Sequence, residues 1–243
     1  MNKINKMNVR IVTYRNGKRG IVNYEYNMQS ENEKPMALDV LVQAQDTTIP
    51  DLAFRYGCRA RNCGVCTIDI NNKPRVACRA RVRDGDMLSP ISTLPVLSDL
   101  VVRRDGISRQ LRGLDNNSKK NELNVEAPDS YHDLTACIEC YACLHNCPMH
   151  EKNIKNNHKK ELIEKEFYEY GNPFSLLKLQ RLRLDPLTTE PGKEQALESA
   201  INLGLDTCIE CPGCKCGVGI NLKGLVIKPL LEAAKNKNKK FIK

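Results

Sequence analysis

The sequence contains no tryptophan, and Phe and Tyr supply only 5% of its 243 residues. A core of ordinary aromatic bulk is excluded, so packing must rest on aliphatic side chains or on something added to the chain. No apolar run reaches the roughly 18 residues that a membrane-spanning helix needs. The stretches Pro95–Val102 and Gly224–Leu231 are interrupted by Asp99, Lys228 and Pro229. The opening residues, Met-Asn-Lys-Ile-Asn-Lys, show no apolar segment of a secretory signal. A soluble, cytoplasmic chain is expected. Nucleotide signatures are missing too. There is no Walker motif, and Gly217-Val218-Gly219 follows Cys216 rather than a strand and does not extend to G-x-G-x-x-G. No flavin or nicotinamide site is recognisable, so any electrons the chain handles are supplied by something else.

What is present is balanced and rich in sulfur. Hydrophobic residues at 41% and charged residues at 28% exclude wholesale disorder, and the length predicts one or two domains. Twelve cysteines among 243 residues fall short of the roughly 8–10% of disulfide scaffolds. Close spacing in a reducing compartment points instead to metal ligation. The formal charge of +9 invites a nucleic-acid partner, but it counts every thiol as neutral. An oxidised four-thiolate cluster carries about −2, so three would bring +9 down by six, to about +3. A nucleic-acid partner is not expected.

The cysteines form three groups: Cys58, Cys63, Cys66 and Cys78; Cys137, Cys140, Cys143 and Cys147; Cys208, Cys211, Cys214 and Cys216. Polar residues from Asp115 separate the first two groups, giving a domain at 1–114, a linker at 115–130 and a second domain at 131–243. In the first domain, Asn8–Tyr14 and Ile21–Tyr26 flank an Asn16-Gly17 turn signal and predict a hairpin. Ala37–Ala44 has helical spacing, and Thr67–Ile70 with Arg75–Cys78 predicts a second hairpin around Asn71–Pro74. The expectation is a small sheet around one helix. The second domain reads as all-α, with helices at Lys159–Tyr170, Pro173–Leu184, Gly192–Leu203 and Leu222–Ala234, the last delimited by Pro229. The basic tail Lys235–Lys243 reads as solvated.

Cys58-x4-Cys63-x2-Cys66 with a distant Cys78 is the plant-type spacing for a 2Fe–2S cluster. Gly57 and Gly64 are expected to let the loop approach closely through positive φ. Zinc is the bland alternative, but a four-residue gap followed by a two-residue gap is unusual for paired zinc knuckles. Arg55, Arg59, Arg61, Arg75, Arg79, Arg81 and Arg83 crowd this loop. Some are ordinary surface charges; as a rim they raise the potential of a cluster and suit an acidic partner. Cys137-x2-Cys140-x2-Cys143-x3-Cys147-Pro148 is the bacterial-ferredoxin run, whose fourth Cys serves the other cluster when two are present. Cys208-x2-Cys211-x2-Cys214, with Cys216 close behind, is its counterpart. Eight thiols for two four-iron cubes and four for one two-iron cluster leave none over. His145 and His150 are expected at the surface or beside the ligands, and His132 and His158 at the surface.

These residues resemble the iron–sulfur subunit of the succinate dehydrogenase/fumarate reductase family. The likeness rests on Phe54-Arg55-x2-Cys58 through Cys66, Val76-Ala77-Cys78, Pro95–Val102, the Cys137–Pro148 run, Asn172-Pro173-Phe174-Ser175-Leu176 and Cys216-Gly217-Val218-Gly219-Ile220-Asn221. It implies an α+β chain: an N-terminal β-grasp ferredoxin domain, then an all-α, α-helical ferredoxin domain. It also implies an FAD-containing flavoprotein partner that interconverts succinate and fumarate, and a further electron-donor or anchor subunit that would place the complex at the inner face of the cell membrane. By the same likeness, Cys137, Cys140, Cys143 and Cys216 hold one 4Fe–4S cluster, and Cys147, Cys208, Cys211 and Cys214 hold the other. Many family members carry 3Fe–4S at that second site, with an apolar residue where Cys211 stands. Three departures stand out. Cys214 and Cys216 are one residue apart, which leaves their roles exchangeable. Arg61 replaces a common glycine. The tryptophan that lines the family's quinone pocket is missing, which leaves room for a thiol-linked donor. The chain itself is read as a non-catalytic electron carrier. A different class of function, the same module serving another flavoprotein or redox assembly, is separated from the first by a succinate/fumarate dye assay on the co-purified partner.

Overall fold

The computed structural model describes residues 6–114, 119, 124–159 and 168–237. The chain divides into two compact units, one made of residues 1–103 and 138–145, the other of 104–137 and 146–243. The fold is mixed, with a sheet at the N-terminal end and helices later.

In the first unit, β1 (Lys6–Arg15) and β2 (Lys18–Asn27) form the expected hairpin, each strand longer at both ends than the sequence pattern suggests. Asn16 and Gly17 turn it with φ of 50° and 73°, the two left-handed positions that a two-residue hairpin demands. Alternation puts Val9 and Ile11 on the buried face, opposite Tyr24 and Val22. The five-stranded sheet has the order β2-β1-β5-β3-β4, with β3 (Thr67–Ile70), β4 (Lys73–Val76) and β5 (Met87–Ser89). β5 runs parallel to β1, and every other pairing is antiparallel. Helix α1 (Ala37–Thr47) buries Ala37, Leu38, Val40, Leu41 and Ala44 in the same cluster as Val9, Ile11, Ile68 and Leu88. Each fully buried Leu or Ile contributes about 1.5–3 kcal/mol, so this face alone fixes the helix on the sheet.

The second hairpin differs from expectation. Its turn is Asn71-Asn72, at φ of 51° and 61°, and Pro74 lies within β4 opposite Asp69. β4 is an edge strand, where a missing N–H costs no ladder bond. Cys78 sits in a one-turn 3-10 segment, Ala77–Arg79, rather than in a strand. A small hairpin of β6 (Val96–Ser98) and β7 (Val101–Val102) turns at Asp99. Asp99 is 1% exposed. Its carboxylate accepts N–H bonds from Tyr14 at 3.0 Å, Ala53 at 2.8 Å and Arg15 Nε at 3.4 Å, which explains why a polar residue interrupts that apolar stretch.

The second unit contains α2 (Asp105–Arg109), α3 (Asp129–Thr135), α4 (Pro148–Lys159), α5 (Pro173–Leu184), α6 (Glu190–Asn202) and α7 (Lys228–Lys237). α5 matches its expected span; Asn172 caps it by accepting the Ser175 N–H at 3.0 Å, and Pro173 fits the first turn. α6 starts two residues earlier than expected, capped by Thr189 with Pro191 in its first turn. The expected helix at Lys159–Tyr170 falls mostly on residues 160–167, outside those described, and Tyr168–Tyr170 is not helical. The last helix is interrupted as its proline requires: Lys223–Ile227 is a π-helical turn, and α7 begins at Lys228, one residue ahead of Pro229. Among the described residues, no helix is long and apolar enough to cross a membrane.

A polar knot ties this unit together around Tyr168–Asn172. Gln110 Nε2 donates to the Tyr168 and Tyr170 carbonyls at 2.7 and 2.6 Å. Asn153 donates to the Tyr170 carbonyl and accepts its N–H, at 2.6 and 2.8 Å. Asn172, fully buried, also donates to Gln110 Oε1 at 3.2 Å. Buried amides of this kind are tolerated only when paired.

Candidate metal centres

The loop from Arg55 to Cys66 carries the first three thiols. Arg59 and Arg61 adopt φ of 53° and 60°, left-handed conformations unusual for a long side chain. The alternation turns the intervening amides inward, and the N–H groups of Ala60 and Asn62 reach the Cys58 sulfur at 3.4 and 3.2 Å. This is a backbone concavity suited to negative charge. Those two amides, then the Cys63 thiol, pull the Cys58 pKa down to about 7. Cys66 is buried and its pKa is pushed up to about 11 by that burial, with the Cys78 thiol bonded to it and the Cys63 charge adding to the effect. Cys58, Cys63, Cys66 and Cys78 thus lie near enough for neighbours to act on one another. Gly64 takes φ of +64° as expected. Gly57 does not, and a Cβ there would stand 3.5 Å from the Cys63 sulfur, an ordinary contact. The left-handed positions are instead Arg59 and Arg61, which the residue types alone conceal. All seven arginines of the rim are exposed. Arg59 lies over the Tyr56 ring at 5.2 Å, and Tyr56 stacks on Phe54 at 5.7 Å.

Two thiols of the second group, Cys140 and Cys143, belong to the same unit. Glu139 and Tyr141 repeat the alternating left-handed pattern, at φ of 53° and 57°. Cys140 and Ala142 are buried in the same apolar cluster as Cys66 and Cys78. Cys143 is half-buried, and His145 stands where its charge acts on Asp69, a buried carboxylate whose pKa burial raises.

In the second unit, Cys147 closes the loop and Pro148 opens α4, so the proline does end the cysteine turn, by starting a helix. Cys147 is buried, which raises its pKa, while the backbone N–H groups of His150 and Met149 act against the shift. Burial pushes Cys208 and Cys214 up to about 12 each. Cys208 feels the charges of Cys214, Cys147 and Cys211, and Cys214 those of Cys147 and Cys211. These four thiols therefore lie near enough to act on one another. Cys216 accepts the Val218 N–H at 3.4 Å. Cys137 and Cys216 lie in the second unit, Cys140 and Cys143 in the first.

Of the two placements expected for His150, surface or beside a ligand, the structure has the second: it is fully buried, stacked on Tyr168 at 5.7 Å, and its backbone N–H acts on Cys147. His145 is half-buried and His132 exposed, while the His158 side chain lies outside the described residues.

All twelve thiols are free of disulfides. Among the described residues, no three His, Cys, Asp or Glu side chains are gathered to hold one bare metal ion. A polynuclear cluster asks for something else, since its thiolates are shared out over two or four irons and the sulfurs need not meet at one point. Grouped cysteines, several of them buried where a lone thiolate is unfavourable, with amides aimed at sulfur, fit such a group. Glu139 and Tyr141 shape the second cysteine loop through left-handed backbone but escape sequence reasoning, because nothing in their residue types marks them.

Comparison with known proteins agrees. Residues 7–109 match the 2Fe-2S iron-sulfur cluster binding domain. Over 214 residues the chain is 31% identical to a subunit of the CoM/CoB fumarate reductase of Methanothermobacter marburgensis, covering 84% of this chain and 39% of that one. It is 32% identical to the fumarate reductase iron-sulfur subunit of Escherichia coli over 123 residues, 46% of this chain and 50% of the relative. The chain is a relative of the iron–sulfur subunits of the succinate dehydrogenase/fumarate reductase family. A chain of the Mycobacterium smegmatis Sdh1 complex in the apo form shares the fold: TM-score 0.79 over 99% of this chain and 100% of the other, at 22% identity. The chain spans 31% to 57% of the length of the curated relatives it matches.

Proposed function

We propose that this chain relays electrons through one 2Fe–2S and two further iron–sulfur clusters, to or from an FAD-containing fumarate reductase or succinate dehydrogenase partner. In this reading residues 1–114 form a β-grasp ferredoxin domain and residues 131–243 an α-helical ferredoxin domain. The observation that carries it is the grouping of sulfur: Cys58, Cys63, Cys66 and Cys78 lie near one another in one unit, and Cys147, Cys208, Cys211 and Cys214 act on one another in the other. The remaining four, Cys137, Cys140, Cys143 and Cys216, complete a third set. Bound there, iron–sulfur clusters supply one-electron carriers at negligible structural change.

The chain's own residues do the rest. The Ala60 and Asn62 amides hold negative charge at Cys58, favouring thiolate there. The exposed arginines offset the charge added on reduction and raise the potential of the first site. They also present a positive face to an acidic partner. Cys211 provides the fourth thiolate at the last site, so a complete 4Fe–4S cube rather than 3Fe–4S is the expected occupant. Burial of Cys66, Cys78, Cys140, Cys147 and Cys208 keeps water from the sulfurs.

A thiol-linked electron donor is the second reading. The relative whose name carries CoM/CoB matches 84% of this chain, against 46% for the Escherichia coli subunit. These 243 residues contain no adjacent Cys-Cys pair, so thiol chemistry would fall to another polypeptide. The test is anaerobic co-purification of the flavoprotein partner followed by a dye-linked succinate/fumarate assay. Turnover of either acid supports the first part of the proposal; a flavin partner inert to both would assign the chain to another redox complex.

A further inference from the structure

We propose that Gly64 is a positioning residue for electron passage between the first two cysteine loops, because its missing side chain lets them meet backbone to backbone. The inference rests on the proposed function. Residues 58–66 and 138–145 lie in one compact unit. Gly64 stands between Cys63 and Cys66. A Cβ there would overlap the Ile138 carbonyl oxygen and lie 2.9 Å from the Cys140 nitrogen and 3.0 Å from its Cα. Backbone atoms cannot swing aside as a flexible side chain can, so any other residue would force the loops apart.

The carbonyl side of Gly64 is fixed as well: it accepts the buried Thr67 hydroxyl at 2.9 Å. Around this contact Cys66, Cys78, Cys140 and Ala142 share one apolar cluster, and Ile138 packs against it. Positive φ alone does not account for the glycine. Gly17 and Gly85 are left-handed too, at φ of +73° and +79°, and a Cβ on either would meet nothing within 4 Å. Those two need only conformational freedom; Gly64 needs conformation and space.

Electron tunnelling falls off steeply with separation, so a contact of ligand loop on ligand loop matters to rate. In the step served, one electron leaves the reduced centre held by one loop and enters the oxidised centre held by the other. No bond forms or breaks. The electron is supplied by the reduced flavin of the partner or, in the opposite direction, by the terminal donor.

The experiment compares the unmodified protein with Gly64→Ala, Gly64→Asn and Gly85→Ala by EPR under full reduction, with hydrogen exchange read on the same samples. Asn tolerates left-handed backbone, so Gly64→Asn separates strain from overlap, while Gly85→Ala imposes strain without overlap. In the unmodified protein and in Gly85→Ala, the two reduced centres should broaden one another's signals. Both Gly64 variants should keep both signals, lose that mutual broadening, and exchange the amides of 138–142 several-fold faster. Broadening unchanged in Gly64→Ala would overturn the proposal. So would loaded but mutually silent centres in the unmodified protein, a measurement that stands even if the variants do not fold. Failure of both Gly64 variants to load a two-iron centre that Gly85→Ala loads would also overturn it, by placing Gly64 in cluster binding instead. An unmodified protein devoid of clusters would defeat the proposed function itself, which is a distinguishable result.

Discussion

Asp99 draws three donors from two separate stretches, Tyr14 and Arg15 of β1 and Ala53, into one buried carboxylate. Replacing it with alanine leaves two backbone N–H groups without their acceptor. Asp99→Ala should cost about 2–4 kcal/mol in denaturant unfolding. Asp69 behaves differently. It is 1% exposed, accepts the Ser92 N–H at 3.0 Å through Oδ2, and has no partner at Oδ1. Burial raises its pKa above the unfolded carboxyl value, against the smaller effects of Ser92 and His145. The folded state therefore binds this proton more tightly than the unfolded state does. Stability contributed by that group is present below the unfolded pKa and falls as pH rises through the window up to the folded value. Asp69→Asn keeps the acceptor for Ser92 and removes the charge. Its stability should exceed that of the parent above the window and lose this pH slope, as thermal melts across pH would show. At the last cluster site, Cys211→Ala should convert a four-iron signal to a three-iron signal in the oxidised protein, because one corner iron loses its only protein ligand. A four-iron centre unaltered by the substitution would exclude Cys211 as that ligand.

Among elements, the Tyr168–Asn172 knot is where α2, α4 and α5 are joined by side-chain amides rather than apolar faces. Gln110→Ala removes two donors from buried carbonyls and should destabilise the protein by about 1–3 kcal/mol, measured by urea unfolding. The hairpin β1–β2 and helix α5 are legible in the sequence because local signals agree: Asn16-Gly17 sets a turn of the right hand, and Asn172-Pro173 announces a helix start. α3 and α4 are not. α3 is seven residues with one buried apolar side chain, and α4 buries Met149, His150 and Asn153 amid charged and polar residues, so neither shows helical periodicity. Pro74 misleads for a related reason, since its place at a sheet edge is a tertiary fact. The three cysteine runs are legible as loops because each is short along the chain, but their division between the two units, Cys140 and Cys143 in one and Cys137 and Cys147 in the other, is not. That Ile138–His145 packs with the N-terminal sheet is not legible, because no pattern in those eight residues marks the partner surface.

For the whole molecule, charge and sulfur are two sides of one design. A formal charge of +9 with seven exposed arginines around the first site predicts a partner interface steered by electrostatics. Association with the flavoprotein should slow as ionic strength rises from about 0.05 to 0.5 M, since screening shortens the reach of those charges. A rate indifferent to salt would assign the arginines to ordinary solvation. The low aromatic content fits the same design, for cores this poor in ring systems gain from clusters as internal cross-links. The central claim is that all twelve sulfurs serve iron in sets of four. It is tested most directly by iron and acid-labile sulfide analysis of the anaerobically purified chain, combined with EPR through a stepwise reductive titration. The account predicts ten irons and ten sulfides per chain, two from the first site and four from each of the others, with three titrating centres. Zinc in place of iron, or a folded, colourless protein without sulfide, would contradict it.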